Sequence, residues 1–255
     1  MNLRGIKMEN KSYLGSITKY RPLGFGSNAD VYLAEYMNSM MVAYKEFWNQ
    51  EYVRGIKDEI IKLSEFDGKD KFIFPEKFIY VKPSDELFKG YTMPLLENYN
   101  FLYEEYLDKL DYDKKVAILL KARNLVEELH KNYKILHADV APWNFMYNEE
   151  KDHLVLTDFD TSISMKKDIK LNISHNTIVR EYEKYNKIDE NLDIYLFNLC
   201  CFAVLNNLDL YYVIDQIRKN NFGVIENSRA KDIFNSYKDI SDVKSLKKEY
   251  VIDYL

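Results

Sequence analysis

The stretch "HADVAPWNF", residues 137–145, sets a carboxylate and a carboxamide five positions apart, at Asp139 and Asn144, with Pro142 between them. Proline lacks an N–H and disfavours helix in the residue before it, which argues for a loop and against one continuous helix. A loop of this kind aims two oxygen-bearing side chains at one place. Such a pair suits metal coordination or proton acceptance, and equally a well-bonded turn. A second acidic segment, "HLVLTDFD" at 153–160, ends a strand-like run in Asp158, with Asp160 two residues on. Asp139, Asn144 and Asp158 together would give hard oxygen ligands for Mg²⁺ and a spare carboxylate for a hydroxyl proton.

Two further features lie upstream. In "LGFGSNADVY", residues 23–32, Gly24 and Gly26 let backbone come close to a bulky anion, and exposed N–H groups there can bind phosphate oxygens. On its own this is weak, since an ordinary hairpin turn reads the same way. In "VAYK", residues 42–45, Lys45 sits on an apolar strand, where a solvated edge charge is the plain reading. Glu59 gives it a second one: a carboxylate on the following helix that can pair with the lysine and hold it toward phosphates. Glu51 and Glu65 are rivals. Glu59 is preferred because it precedes the apolar Ile60 at the edge of the helix's apolar face.

The elements that must position these residues follow from periodicity. "YRPLGF", "DVYLAEY" and "MMVAYKEF" are β-rich runs separated by turn signals at Gly24–Asn28 and Asn38-Ser39. Val53, Ile56, Ile60, Leu63 and Phe66 fall on one face of a helix within 50–66, and "KFIYV" and "GYTMPLL" read as strands. From Asp111 the character changes. Val116, Leu119, Leu120, Ala122, Leu125, Val126 and Leu129 mark an amphipathic helix, and "NFMYN" with "HLVLTDFD" a hairpin. "NLDIYLFNLCCFAVL" is apolar nearly all round and is expected to be buried. A β-rich first third, a connector near Leu95 to Asn100 and a helical remainder indicate two lobes.

Composition sets bounds. The 255 residues suffice for a sizeable core, and 47% hydrophobic with 30% charged residues is ordinary for a soluble globular chain. A net charge of −5, mixed along the chain, argues against a dedicated nucleic-acid binder. Cys200 and Cys201 are adjacent in an apolar run and read as buried thiols of a reducing compartment. The N-terminal residues lack a signal-like apolar stretch, and the segment from Ile194 to Leu205 is too short to span a bilayer. A cytoplasmic protein is expected.

The four features stand in one order: "LGFGSNADV", "VAYK", "HADVAPWN" and "DFD". In this the chain resembles the protein-kinase family and its eukaryotic-like relatives, over roughly residues 20–206. The resemblance implies an α+β, bilobal protein kinase-like fold: a β-rich N-lobe (20–96) after an N-terminal extension (1–19), and a shortened, mostly helical C-lobe (97–255). It implies ATP and Mg²⁺ as cofactors. Leu23, Gly24, Gly26 and Ala29 would lie over the nucleotide, with Ala29 where the third glycine of the family stands. Val31 and Ala43 would sandwich adenine, and Met93 to Leu95 would read its edge from a hinge. Lys45, held by Glu59, would contact the α- and β-phosphates. Asp139 would accept the acceptor's proton, Asn144 and Asp158 would bind Mg²⁺, and Asp160 would be a second acidic ligand or a turn acceptor. His137 and Asp193 would be structural.

The departures are informative. Ala138 replaces the arginine that binds a phosphorylated activation loop, so no such switch is expected despite Ser162, Ser164, Ser174 and Thr177. Ala141 replaces a lysine that steadies the transferring group; Lys166 or Lys167 is a candidate substitute, against the plainer reading of solvated loop charges. Asp160 in place of glycine resembles aminoglycoside and choline kinases. Three readings follow: a kinase acting on a hydroxyl, with protein serine or threonine first; a small-molecule kinase for a sugar, aminoglycoside or lipid headgroup; and a pseudokinase that binds a nucleotide or partner without turnover. The substrate is a hydroxyl-bearing protein or small molecule, with neither nucleic acid nor a membrane span expected.

Overall fold

The β-rich runs of the first third pair into a six-stranded sheet. The computed structural model describes residues 11–66, 68, 70–82, 87–165, 177–241 and 247–255. Lys166, Lys167, Ser174 and the first part of the N-terminal extension lie outside the described residues. The chain falls into two units, Met1–Lys69 with Ile73–Glu97, and Asp70–Phe72 with Asn98–Leu255.

In the first unit the strands are β1 (Lys11–Tyr13), β2 (Ile17–Phe25), β3 (Ala29–Tyr36), β4 (Met40–Phe47), β5 (Lys77–Tyr80) and β6 (Phe88–Met93), in the order β1-β5-β6-β4-β3-β2. All neighbours are antiparallel except β1 and β5. The sheet thus takes in residues read from sequence as an extension. Helix α1 (Gln50–Leu63) starts at Asn49, whose side chain caps it by accepting from the Tyr52 N–H at 3.1 Å. It buries Tyr52, Val53, Ile56, Ile60, Ile61 and Leu63, and Tyr52 meets Phe47 of the sheet with ring centroids 6.2 Å apart. Tyr36, Val42, Tyr44 and Ile79 pack with Leu14 and Ile17 in a second cluster. There Ser12 bonds the Tyr36 hydroxyl at 3.0 Å.

The second unit is mainly helical: α2 (Tyr112–Glu128), α3 (Thr177–Tyr185), α4 (Glu190–Asn206), α5 (Leu210–Arg218) and α6 (Ser228–Asn235). Its strands are short. β9 (Phe145–Asn148) and β10 (His153–Leu156) form the expected hairpin, which β7 (Asn100–Phe101) extends to three strands, while β8 (Ile135–Leu136) pairs with β11 (Ile163–Ser164). Helix α4 is buried along nearly its whole length, as its all-round apolar sequence implies. Its Asn198 is fully bonded in the core, to the Tyr237 hydroxyl, the Glu249 carbonyl and the Val251 N–H. Cys200 and Cys201 are buried and free, and burial pushes both thiols up. On α2 the facing differs in detail: Leu120 is exposed, whereas Lys115 is buried with its ammonium on Asn207. The stem of a lysine can cover apolar surface, so a polar letter on that face is compatible with the packing. No single helix among the described residues is long and apolar enough to cross a membrane.

Candidate active site

In the first unit, register decides which residues share a face. Val31 lies opposite Lys45 and Gly24, Lys45 opposite Tyr91, Ala43 opposite Met93, and Ala29 opposite Phe47. Side chains directly opposite in a ladder point the same way, so Ala29, Val31, Ala43, Lys45 and Met93 share the face on which Phe47 meets α1. Leu23 falls in the register shift between Pro22 and Gly24, and Leu95 lies past the end of β6. Lys45 is only 7% exposed on a strand flanked by β3 and β6, which excludes the solvated edge charge. Of the candidate carboxylate partners, Glu59 on α1 is half-buried and pairs with Lys62 at 2.7 Å, while Glu51 and Glu65, the latter past the end of α1, are exposed.

The turn after β2 closes with the Gly26 N–H donating to the Ala29 carbonyl at 2.9 Å. It is also tied to the start of α1. The Asn28 carbonyl accepts from the N–H groups of Trp48 and Asn49, and the Asn49 amide donates to Asn28 Oδ1 at 3.0 Å. The two glycines differ. A Cβ on Gly26 would meet the Ala29 carbonyl oxygen at 2.8 Å, whereas one on Gly24 meets nothing within 4 Å. Gly26→Ala is therefore expected to destabilise this unit by about 1–3 kcal/mol, because the obstacle is backbone. Gly24→Ala should stay within about 0.5 kcal/mol of the parent. Urea denaturation of the two variants checks the contrast.

The second unit assembles Asp139, Asn144 and Asp158. Pro142–Asn144 forms a single 3₁₀ turn, so the segment is a loop as its proline implies. The Asn144 amide donates to the Asp139 carbonyl at 2.7 Å and to Asp139 Oδ2 at 3.1 Å. Both amide protons are thus directed at Asp139, which leaves Oδ1 of Asn144 as the oxygen for a cation. The Thr157 N–H and hydroxyl both donate to the Asn144 carbonyl, at 2.8 and 3.1 Å, placing Asp158 beside this loop. Asp158 itself has φ of 60°, and Ala138, just before Asp139, has φ of 61°. Left-handed backbone is unfavourable for both residue types, so surrounding bonds must hold them there. Asp160 lies in the next turn and is buried.

Those bonds are visible. The carboxylate of Asp193, fully buried on α4, accepts from the His137 and Ala138 N–H groups and from His130 Nε2, each at 2.8 Å. His130 sits in a π-helical turn, Leu129–Tyr133, that extends α2. His137 donates from Nε2 to the Thr157 carbonyl at 2.9 Å and rests edge-on against Phe159, 5.0 Å between centroids. Its Nδ1 is buried with no hydrogen-bond partner among the described residues. This is a positioning histidine. Phe159 also meets Phe72, whose stretch bridges to Leu156.

Burial pushes the Asp193 carboxyl up, but the His130 hydrogen bond and charge, with the His137 amide, outweigh it and hold the group below the ordinary carboxylate range. The unfolded value is near 3.9, so the unfolded chain takes up this proton first as pH falls. The contribution of Asp193 is complete above about pH 4 and is lost as pH drops through the folded value. Denaturation midpoints are expected to fall as pH drops below about 4, and less steeply in Asp193→Asn.

Among the described residues no group of three or more His, Cys, Asp or Glu could hold a metal ion. The oxygens that Asn144 and Asp158 offer nevertheless suit Mg²⁺, which keeps several waters and needs only one or two protein ligands beside substrate phosphates.

No family model matches the chain, and no curated protein matches it in sequence. Among solved structures, the kinase PK-1 of Cydia pomonella granulovirus matches with a TM-score of 0.64 over 94% of each chain. The chain has a protein kinase-like fold. Sequence identity to PK-1 is 15%, so the likeness carries the bilobal α+β architecture and not the residues. The kinase-like fold agrees with the order in which the four motifs occur.

Proposed function

We propose that the protein is an ATP- and Mg²⁺-dependent phosphotransferase with a hydroxyl as acceptor, protein serine or threonine first. The observation that carries this reading is the bonding of Asp139: a half-buried carboxylate steered by the Asn144 amide, on a loop tied through Thr157 to Asp158. On this reading the O–P bond to the departing ADP breaks as the acceptor oxygen bonds phosphorus, and Asp139 takes the hydroxyl proton. Mg²⁺, when bound, would neutralise phosphate charge, with Asn144 Oδ1 and the Asp158 carboxylate as its ligands and Asp160 as a further acidic group. Lys45, with Glu59 as counter-ion, would contact the α- and β-phosphates. Gly24, Gly26 and Ala29 would cover the triphosphate, and Leu23, Val31, Ala43, Met93 and Leu95 would line the base.

The test is incubation with γ-labelled ATP and Mg²⁺, with a generic protein acceptor in one arm and small alcohols and amino sugars in the other. Label on protein serine or threonine supports the first choice. Label only on small molecules replaces it with the small-molecule kinase, for which Ala141 and Asp160 give the sequence grounds. If ATP binds and label never moves, to water included, the protein is a binding module.

A further inference from the structure

The loop that holds Asp139 also carries Trp143, which neither the proton transfer nor the metal ligation uses. Trp143 is half-buried between Pro142 and Asn144, and Asn144 is the residue bonded to the Asp139 carboxylate. Tyr211, in the first turn of α5, stacks on it with centroids 5.9 Å apart and planes 25° from parallel. Tyr103 meets it edge-on at 6.2 Å and 89°. Tyr211 is 57% exposed, so this aromatic group opens to solvent instead of closing into the core. Its surroundings are acidic: burial raises the Tyr211 phenol, and the charges of Asp139 and then Asp209 raise it further. Asp209 is fixed as the cap of α5, accepting from the Tyr211 N–H at 2.8 Å. Aromatic faces carry negative potential, and two carboxylates reinforce it here. A cation is the group this surface favours.

We propose that Tyr103, Trp143 and Tyr211 form an acceptor subsite that takes a cationic group placed next to the hydroxyl, as in a serine peptide with a neighbouring arginine. The subsite rests on the phosphotransferase reading for its purpose but not for its detection. In a Trp48→Phe protein, Trp143 is the sole tryptophan, so its fluorescence reports binding directly. The probes are a serine peptide carrying one adjacent arginine and the same peptide with neutral citrulline. The arginine peptide is expected to shift Trp143 emission saturably, with an affinity about tenfold above that of its citrulline twin. Tyr211→Leu should remove most of this preference and Tyr211→Phe should retain it. Charge-blind binding in every probe pair, or a preference unchanged in Tyr211→Leu, overturns the subsite. A small amino alcohol matched with its uncharged analogue forms a second arm; a preference seen there and not with peptides would keep the cation and change its carrier. If the charge preference holds while labelled phosphate never moves, the subsite stands and the phosphotransferase reading falls.

Discussion

Asp139→Asn is expected to lower phosphoryl transfer by roughly 10²- to 10⁴-fold, the range a positioned general base contributes. The change is nearly isosteric. Asp139 is half-buried, and its backbone carbonyl keeps the 2.7 Å bond from Asn144 whatever the side chain. The second bond, from the Asn144 amide to Oδ2, can be kept by the oxygen of the new carboxamide. Fold and ATP affinity should therefore survive while proton acceptance is lost. Initial rates with γ-labelled ATP, set beside a nucleotide-binding titration, separate these effects. A variant with undiminished rate would remove Asp139 from the mechanism.

The second large effect falls on stability. Asp193→Ala deletes one carboxylate that serves three donors, two of them successive backbone N–H groups at the entry to the Asp139 loop. Nothing of the alanine side chain can replace those bonds, and the His137 and Ala138 donors are buried. Leaving buried donors without a partner costs about 1–3 kcal/mol each, so a loss of about 3–5 kcal/mol is expected. Against a typical total of about 5–15 kcal/mol this is a large share. For a chain of this size the melting temperature should fall by roughly 6–20 °C. Ala138 would also lose the bond that holds it at φ of 61°, so the loop should relax before the rest unfolds. Hydrogen exchange at the His137 and Ala138 amides is the direct measurement. Unchanged protection there would show that the loop is held by something else.

Much of this architecture could be read from the chain alone, for reasons particular residues make plain. β-rich runs bounded by turn residues mark β3 and β4, and the apolar stripe of α1 marks its buried face, because local composition and periodicity report local structure. Pro142 announced the loop, and the all-round apolar α4 announced its depth. The site's order was visible because Asp139, Asn144 and Asp158 are close in sequence. What stayed hidden depends on distant partners. β1 and β7 are too short for any period to show, and β1 is a strand only because β5 lies beside it. The burial of Lys115 depends on Asn207, on another helix. The stacking of Trp143 on Tyr211 joins residues from a loop and a helix far apart in the chain, and no pattern within either segment points to the other. Such pairings are properties of the tertiary structure.

The link between Asn28 and Asn49 has a mechanical consequence. Because the glycine turn is bonded to the very residue that caps α1, any swing of that helix must carry the turn along or shed its bonds to Trp48 and Asn49. Two parts that the sequence separates by a pair of strands behave as one lever.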